Sequence, residues 1–367
     1  MSLQGGIQEE ETAMRNPERN VNLYDVLQYW CTHWQPDCVF DGTTIDDYKS
    51  WRRSFNRHYR RCLGRWPERV PPNLEVVESV DKGDYIREKI LFDSTFGVTV
   101  PAYVLTPQGL PPDEKRPGIL ASHGHGNGKA DICGVTREQG SEQSAQTLDA
   151  LNYEYGVEAV RRGYVVIAPD WCPFGERRPP DWWVRTPSRD ACNITDLAWQ
   201  YFCRPLIAQS IWDGMRCVDV LVNHPHVDRN RIAVIGLSQG GTMATHMLIN
   251  ERRIKAGVVS GYISTVRGDA LGERGKGNTC GAQHVPGLLV HGDIPDMLGL
   301  AAPKPMLFEM GKQETCFHYP DMLKAYRHLR KIYKAAGFPD RIGGDHHPND
   351  HQWSGKKAWK WLEKWLA

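Results

Sequence analysis

No stretch of the chain approaches the roughly 20 consecutive apolar residues that a membrane-spanning helix needs. The opening residues Met1–Arg15 are polar and acidic, without the apolar core of a secretory signal. Charge of one sign is lacking too: 45 Lys and Arg oppose 44 Asp and Glu, for a formal net charge of +1. That balance offers neither nucleic acid nor an anionic lipid surface a general attraction, so neither is expected as a partner. There is no internal repeat and no low-complexity tract, which excludes solenoid and linker-like architectures. The ten cysteines contain no CxxC pair and are scattered through 367 residues. They read as reduced, mostly buried thiols rather than a disulfide framework, and a cytoplasmic location follows as an expectation.

What is present is enough apolar residue (40%) to build a core. Length alone allows two or three domains of about 150 residues. The order of the elements argues instead for one large domain, residues 73–367, behind a helical N-terminal extension, residues 1–72. In that extension Asn20–Leu63 reads as helical, with Leu23, Val26, Leu27 and Trp30 at helical spacing and a basic amphipathic stretch from Tyr48 to Cys62. Its tryptophans Trp30, Trp34, Trp51 and Trp66 could cover part of a site or form a homo-oligomer contact. Three runs rich in β-branched and aromatic residues follow, Leu74–Val80, Tyr85–Phe92 and Val98–Thr106, and predict an antiparallel meander.

From Arg116 the rhythm changes to strand, loop, helix. Gly118–Ser122, Tyr164–Ala168, Arg231–Ile235, Ala256–Val259 and Pro305–Phe308 are continuous apolar runs, as strands buried on both faces should be. Helical stretches separate them: Gly156–Arg162, Ile207–Val222, Gly241–Asn250 and Pro320–Ala336, with a last one at Trp353–Leu366. This alternation predicts an α/β fold with a mostly parallel, doubly wound sheet, and a site at the C-terminal ends of its strands.

The sharpest local feature is Gly236-Leu237-Ser238-Gln239-Gly240-Gly241, directly after one predicted strand and directly before a helix. A GxSxG in that context fits a strained strand-to-helix turn that lifts a serine above the sheet, so Ser238 is the candidate nucleophile. A serine hydroxyl needs a base. His351, ahead of the last helix in Asp345-His346-His347-Pro348-Asn349-Asp350-His351, fits best, with His346 and His347 as competitors. The base needs an acid to orient it, in the chain order serine, acid, histidine. Glu314, on the loop after Pro305–Phe308, stands where that acid belongs; Glu309, Asp345 and Asp350 compete. Two amides should face the oxyanion: that of Gln239, and that of His125 in His123-Gly124-His125-Gly126. The same histidines suggest a metal site with His123, His125 and the late histidines, but no HExxH or Cys/His zinc spacing supports it. No cofactor and no metal are therefore expected.

These stretches, taken in order with Pro169-Asp170, Phe174-Gly175-Glu176-Arg177 and Pro303-Lys304-Pro305 with Gly311–Phe317, resemble the α/β-hydrolase superfamily. Within it the resemblance is to dienelactone hydrolases, acetyl xylan esterase-like proteins and prolyl oligopeptidase-type catalytic domains, over roughly residues 75–367. It implies the α/β-hydrolase fold and serine hydrolase chemistry on a small-molecule ester through an acyl-enzyme. Dienelactone hydrolases proper carry cysteine at the nucleophile position, so Ser238 favours an esterase. Short-chain acyl, acetylated sugar and aryl esters are the substrate classes in view, with a peptidase or amidase, or a ligand-binding protein without turnover, as rivals. The inter-strand loops, among them the long, polar stretch Asn127–Tyr155, should select the substrate. Trp171, Trp182 and Trp183 are candidates to line a pocket, and Arg177, Arg178, Arg185, Arg267, Arg274 and Lys276 to meet an anion.

Overall fold

The structure, a computed structural model, describes residues 23–184, 189–271 and 280–367. Arg185, Arg274 and Lys276 lie outside the described residues. Nine strands form one sheet: β1 (Glu75–Asp81), β2 (Tyr85–Thr95), β3 (Val98–Pro107), β4 (Arg116–Ser122), β5 (Val165–Pro169), β6 (Val227–Leu237), β7 (Ile254–Ser260), β8 (Met306–Gly311) and β9 (Ile342–His347). Their spatial order is β1-β2-β3-β5-β4-β6-β7-β8-β9. The β1–β2, β2–β3 and β3–β5 pairings are antiparallel, and every pairing from β5–β4 to β8–β9 is parallel. The predicted meander thus forms one flank of the sheet, and the predicted parallel strands form the rest.

Along β4 the apolar run divides between two cores. Leu120 packs into the cluster on one face, Ile119 and Ala121 into the cluster on the other, and all three are fully buried. Each large aliphatic side chain so buried contributes about 1.5–3 kcal/mol. A strand buried on both faces has no polar side to show, and its sequence therefore has no alternation.

The helix Ile45–Leu63 starts at Thr44, whose side chain accepts from the Asp47 amide while Asp47 reaches back to the Thr44 amide, a capping box. Tyr48, Trp51, Phe55, Tyr59 and Leu63 form its buried face. The Tyr59 hydroxyl lies 2.7 Å from His246 Nδ1 and accepts from Asn250 Nδ2 at 2.8 Å, bracing the helix Gln239–Asn250 that follows Ser238. The predicted continuous helical segment is two helices, Leu23–His33 and Ile45–Leu63. Pro36 lacks an amide hydrogen to continue the first, and a Cβ on Gly42 would lie 2.3 Å from Asp47 Cβ. The four tryptophans divide as well: Trp51 is buried and Trp66 half-buried, whereas Trp30 and Trp34 are exposed.

Two further expectations need correction. The polar stretch after β4 is not a loop but holds three short helices, Lys129–Ile132, Val135–Gln139 and Glu142–Leu151. The first two, of four and five residues, are too short to show a 3.6-residue period. The last helix begins at Ala358, not Trp353. The amides of Ser354 and Gly355 donate to the Glu309 carboxylate at 3.0 and 2.9 Å, and Gly355 has φ 66°, so the chain is held off the helical path until residue 358.

Among the described residues, no helix is long and apolar enough to cross a membrane.

Candidate active site

Four of the loops that leave the C-terminal ends of parallel strands carry the residues singled out by sequence: His125 after β4, Ser238 after β6, Glu314 after β8 and His351 after β9. Ser238 sits between β6 and the helix Gln239–Asn250 with φ 64° and ψ −119°. That conformation is normally reserved for glycine and costs a side-chain-bearing residue roughly 1–3 kcal/mol. Its glycines are required by contact. A Cβ on Gly240 would lie 1.9 Å from the Ser122 carbonyl oxygen, and one on Gly236 would lie 2.3 Å from the Gly240 carbonyl oxygen. The Ser238 amide donates to the Ser260 carbonyl at 3.0 Å, fixing the turn to the end of β7.

His351 Nδ1 lies 2.8 Å from Glu314 Oε1, with the carboxylate side chain only 1% exposed. A proton on Nδ1 would leave Nε2 as the nitrogen able to accept one from a hydroxyl. Glu314 is held by its own loop, its Oε1 accepting from the Cys316 amide at 3.0 Å and the Phe317 amide at 3.4 Å. Asp350 stitches the two loops together, accepting from the Thr315 amide at 2.7 Å and the His351 amide at 2.6 Å. Ser238 and His351 border one cavity of about 440 Å³, with His125, Tyr153, Phe174 and Phe317 also on its wall.

Three of the competing candidates, His346, Asp345 and Glu309, have partners elsewhere. His346 and His347 belong to β9, and His346 Nδ1 lies 3.0 Å from the Tyr319 hydroxyl. Asp345 accepts from the Ser354 hydroxyl at 2.7 Å. Glu309 is fully buried, and burial pushes its carboxyl up to about 7. A folded-state value raised above the ordinary 4.5 means that folding favours the protonated form. The stabilisation is complete below pH about 4.5 and is lost as pH rises through about 7. Between those limits the wild type should lose on the order of 3 kcal/mol relative to Glu309→Gln. Urea midpoints measured across that window test this, and parallel curves for the two proteins would refute it.

The His123–Gly126 loop lies directly against the Ser238 turn. A Cβ on Gly124 would meet Leu237 O at 2.9 Å and Ser238 Cβ at 3.1 Å, and the Gly124 amide donates to the Tyr153 hydroxyl at 2.5 Å. Among the described residues, the amides of Gln239 and His125 have no hydrogen-bond acceptor. His123 is structural. It is fully buried, which pushes its pKa down, its Nε2 accepts from the Trp171 amide at 2.9 Å, and its Nδ1 lies 2.7 Å from the Gly124 carbonyl. It has no nitrogen left for a metal, so the ligand set weighed from the sequence does not assemble.

Of the Asp170 and Phe174–Arg177 stretches, Phe174 and Gly175 line the cavity. Lys129 Nζ pairs with Asp170 Oδ2 at 2.6 Å and with Glu176, and Arg177 pairs with Asp213 at 2.8 Å. Both cations are held in structural pairs rather than offered to an anion, and Arg267 donates to the Trp34 carbonyl at 2.7 Å. Arg178 alone of the described candidate cations reaches the cavity wall. Trp171 is fully buried and Trp182 is 81% exposed. Neither these nor Trp183 lines the cavity, whose aromatic surface comes from Tyr153, Phe174 and Phe317 instead. None of the three was expected as lining, although Phe174 and Phe317 stand within the Phe174–Arg177 and Gly311–Phe317 stretches.

A profile of the Abhydrolase family matches residues 8–361. The chain belongs to the Abhydrolase family. This Abhydrolase-family protein is 25% identical over 311 residues to a Bacillus subtilis protein named as a hydrolase, YtaP, covering 83% of its own chain and 97% of that relative. Among solved structures it superposes on a Bacteroides fragilis protein described as an acetyl xylan esterase with a TM-score of 0.73, at 17% identity, over 91% of this chain and 84% of that one. A glucuronoyl esterase from Solibacter usitatus gives 0.63 at 15% identity, over 91% and 97% of the two chains. At those identities the likeness is one of fold, and the fold is the α/β-hydrolase fold, as the sequence implied.

Proposed function

We propose that this protein hydrolyses carboxylic esters through an acyl-enzyme on Ser238. The observation that carries the proposal is the 2.8 Å pair of Glu314 with His351, on a cavity whose wall also holds Ser238 in its strained turn. His351 Nε2 takes the hydroxyl proton as Ser238 Oγ bonds to the ester carbonyl carbon. The Gln239 and His125 amides stabilise the resulting oxyanion. As the tetrahedral species collapses, the ester C–O bond breaks and His351 protonates the leaving alcohol. Water, deprotonated by the same nitrogen, then releases the acid and restores Ser238.

Next to this cavity lies a chamber of about 660 Å³, bordered by Tyr262, Val266, Leu271, Val285, Leu288 and Ile294. Gln283 and Phe317 border both spaces. An apolar chamber beside the nucleophile favours an ester with an apolar acyl or aryl group over an acetylated sugar. Two methylenes buried at about 0.8 kcal/mol each should raise kcat/KM roughly tenfold from the p-nitrophenyl acetate to the butyrate. A fluorophosphonate should label Ser238, and matched anilides should turn over far more slowly than the esters. Absence of labelling would remove the serine mechanism. A preference for acetate would remove the chamber from the acyl site, and equal turnover of the anilides would favour the amidase reading.

A further inference from the structure

Three elements far apart in sequence converge at the rim between the two cavities. The loop after β4 brings His125, the helix Arg189–Gln200 brings Cys192, and the turn Gly281–Gln283 is preceded by Cys280. His125 Nε2 lies 3.2 Å from Cys280 Sγ. The imidazole nitrogen and both thiol sulfurs all lie within 4.8 Å of one another. Both cysteines are buried, whereas His125 is exposed on the wall of the cavity that holds Ser238.

We propose that His125 Nε2, Cys192 Sγ and Cys280 Sγ form a binding site for zinc, with the fourth coordination position open toward the Ser238 cavity. Two sulfurs and one imidazole nitrogen are the donors that a borderline-soft, tetrahedral cation takes. In a tetrahedral zinc site sulfur stands about 3.6 Å from nitrogen and about 3.8 Å from a second sulfur. The three atoms therefore close on the ion with side-chain movements of about 1 Å or less.

The backbone around the ligands is fixed without the ion. The Gly281 amide donates to Asn193 Oδ1 at 2.8 Å, joining the residue after Cys280 to the residue after Cys192. A side chain on Gly281 would prevent this approach, since its Cβ would lie 2.4 Å from the Cys192 carbonyl oxygen. The Ala282 carbonyl accepts from Gln239 Nε2 at 3.0 Å, tying the same turn to the helix after Ser238. The His125 ring meets the Phe174 ring edge-on, with centroids 5.2 Å apart. Ligands held by such neighbours are what a metal site requires, and the exposed face of His125 gives the ion its route from solvent. The site does not depend on a serine mechanism.

Cobalt(II), titrated into the reduced, chelator-treated full-length protein, tests the assignment. One equivalent per chain should produce the near-ultraviolet sulfur-to-cobalt charge-transfer band, and one equivalent of zinc(II) should abolish it. Cys280→Ser, which leaves one thiolate of the two, should lose at least half of the band's intensity. His125→Ala, altering an exposed side chain on a folded protein, should weaken binding by more than the roughly 10–100-fold that follows loss of a group hydrogen-bonded to a ligand. Cys203→Ser, at an exposed thiol elsewhere, should bind as the wild type does. A wild type without a saturable band overturns the site, as does a band of undiminished intensity in Cys280→Ser or wild-type affinity in His125→Ala. Ester turnover plays no part in this readout, so failure here and failure of the Ser238 reading are separate results.

Discussion

Ser238→Ala should lower kcat by roughly a millionfold on an aryl ester, with the fold intact. The size follows from the division of labour in the site. In the proposed mechanism no acyl-enzyme forms without Oγ, and what remains is the two proposed oxyanion amides acting on a water that nothing positions. Alanine keeps a Cβ, so the strain at φ 64° and ψ −119° is unchanged and the melting temperature should be close to that of the wild type. Ser238→Gly separates the two roles of this residue. Glycine adopts that conformation freely, so the variant should lose turnover to the same extent and yet melt above Ser238→Ala, by up to the roughly 1–3 kcal/mol stored in the turn. Thermal unfolding beside steady-state rates measures both quantities. An alanine variant that retains appreciable turnover after purification free of wild type would place the nucleophile elsewhere.

Glu314→Gln should cost about ten-thousandfold in kcat while leaving KM and stability nearly unchanged. The carboxylate oxygen lies 2.8 Å from His351 Nδ1, and in the proposed mechanism it favours a proton on that nitrogen, with Nε2 as the base. An amide nitrogen facing Nδ1 donates instead, which favours the opposite tautomer and turns Nε2 into the wrong partner for a hydroxyl. Glutamine has the same shape, and its carbonyl can still accept from the Cys316 and Phe317 amides, so the loop keeps its path. The measurement is kcat and KM for wild type and variant on one ester, with urea unfolding as the control for folding. A drop of less than about a hundredfold would mean that another group orients His351.

The candidate nucleophile was legible because its signal is local. A turn that only glycine-flanked serine can make, between an apolar run and an amphipathic one, is written in six consecutive residues, Gly236–Gly241. The parallel strands were legible for a related reason, since burial on both faces leaves a continuous apolar run. Glu314 and His351 stood out as candidates from chain order and from their position just past the strands, and the fold brings them together. Their rivals could not be set aside that way. Glu309, Asp345 and Asp350 lie within a few residues of the same positions, and only the fold shows Glu309 receiving the Ser354 and Gly355 amides, Asp345 the Ser354 hydroxyl, and Asp350 the Thr315 and His351 amides.

The sequence by itself determined the fold class, the order of its elements and the candidate nucleophile, because periodicity and turn chemistry act over a few residues. Only the tertiary structure decided which distant groups meet. It set Trp171 in the core and Trp182 in solvent, filled the stretch after β4 with helices, and opened an apolar chamber behind Phe317. It also carried Cys192 and Cys280 to His125, three side chains whose spacing along the chain matches no metal motif. Such meetings depend on sheet order and on how loops pack over its edge, and those are set by burial summed over the whole chain.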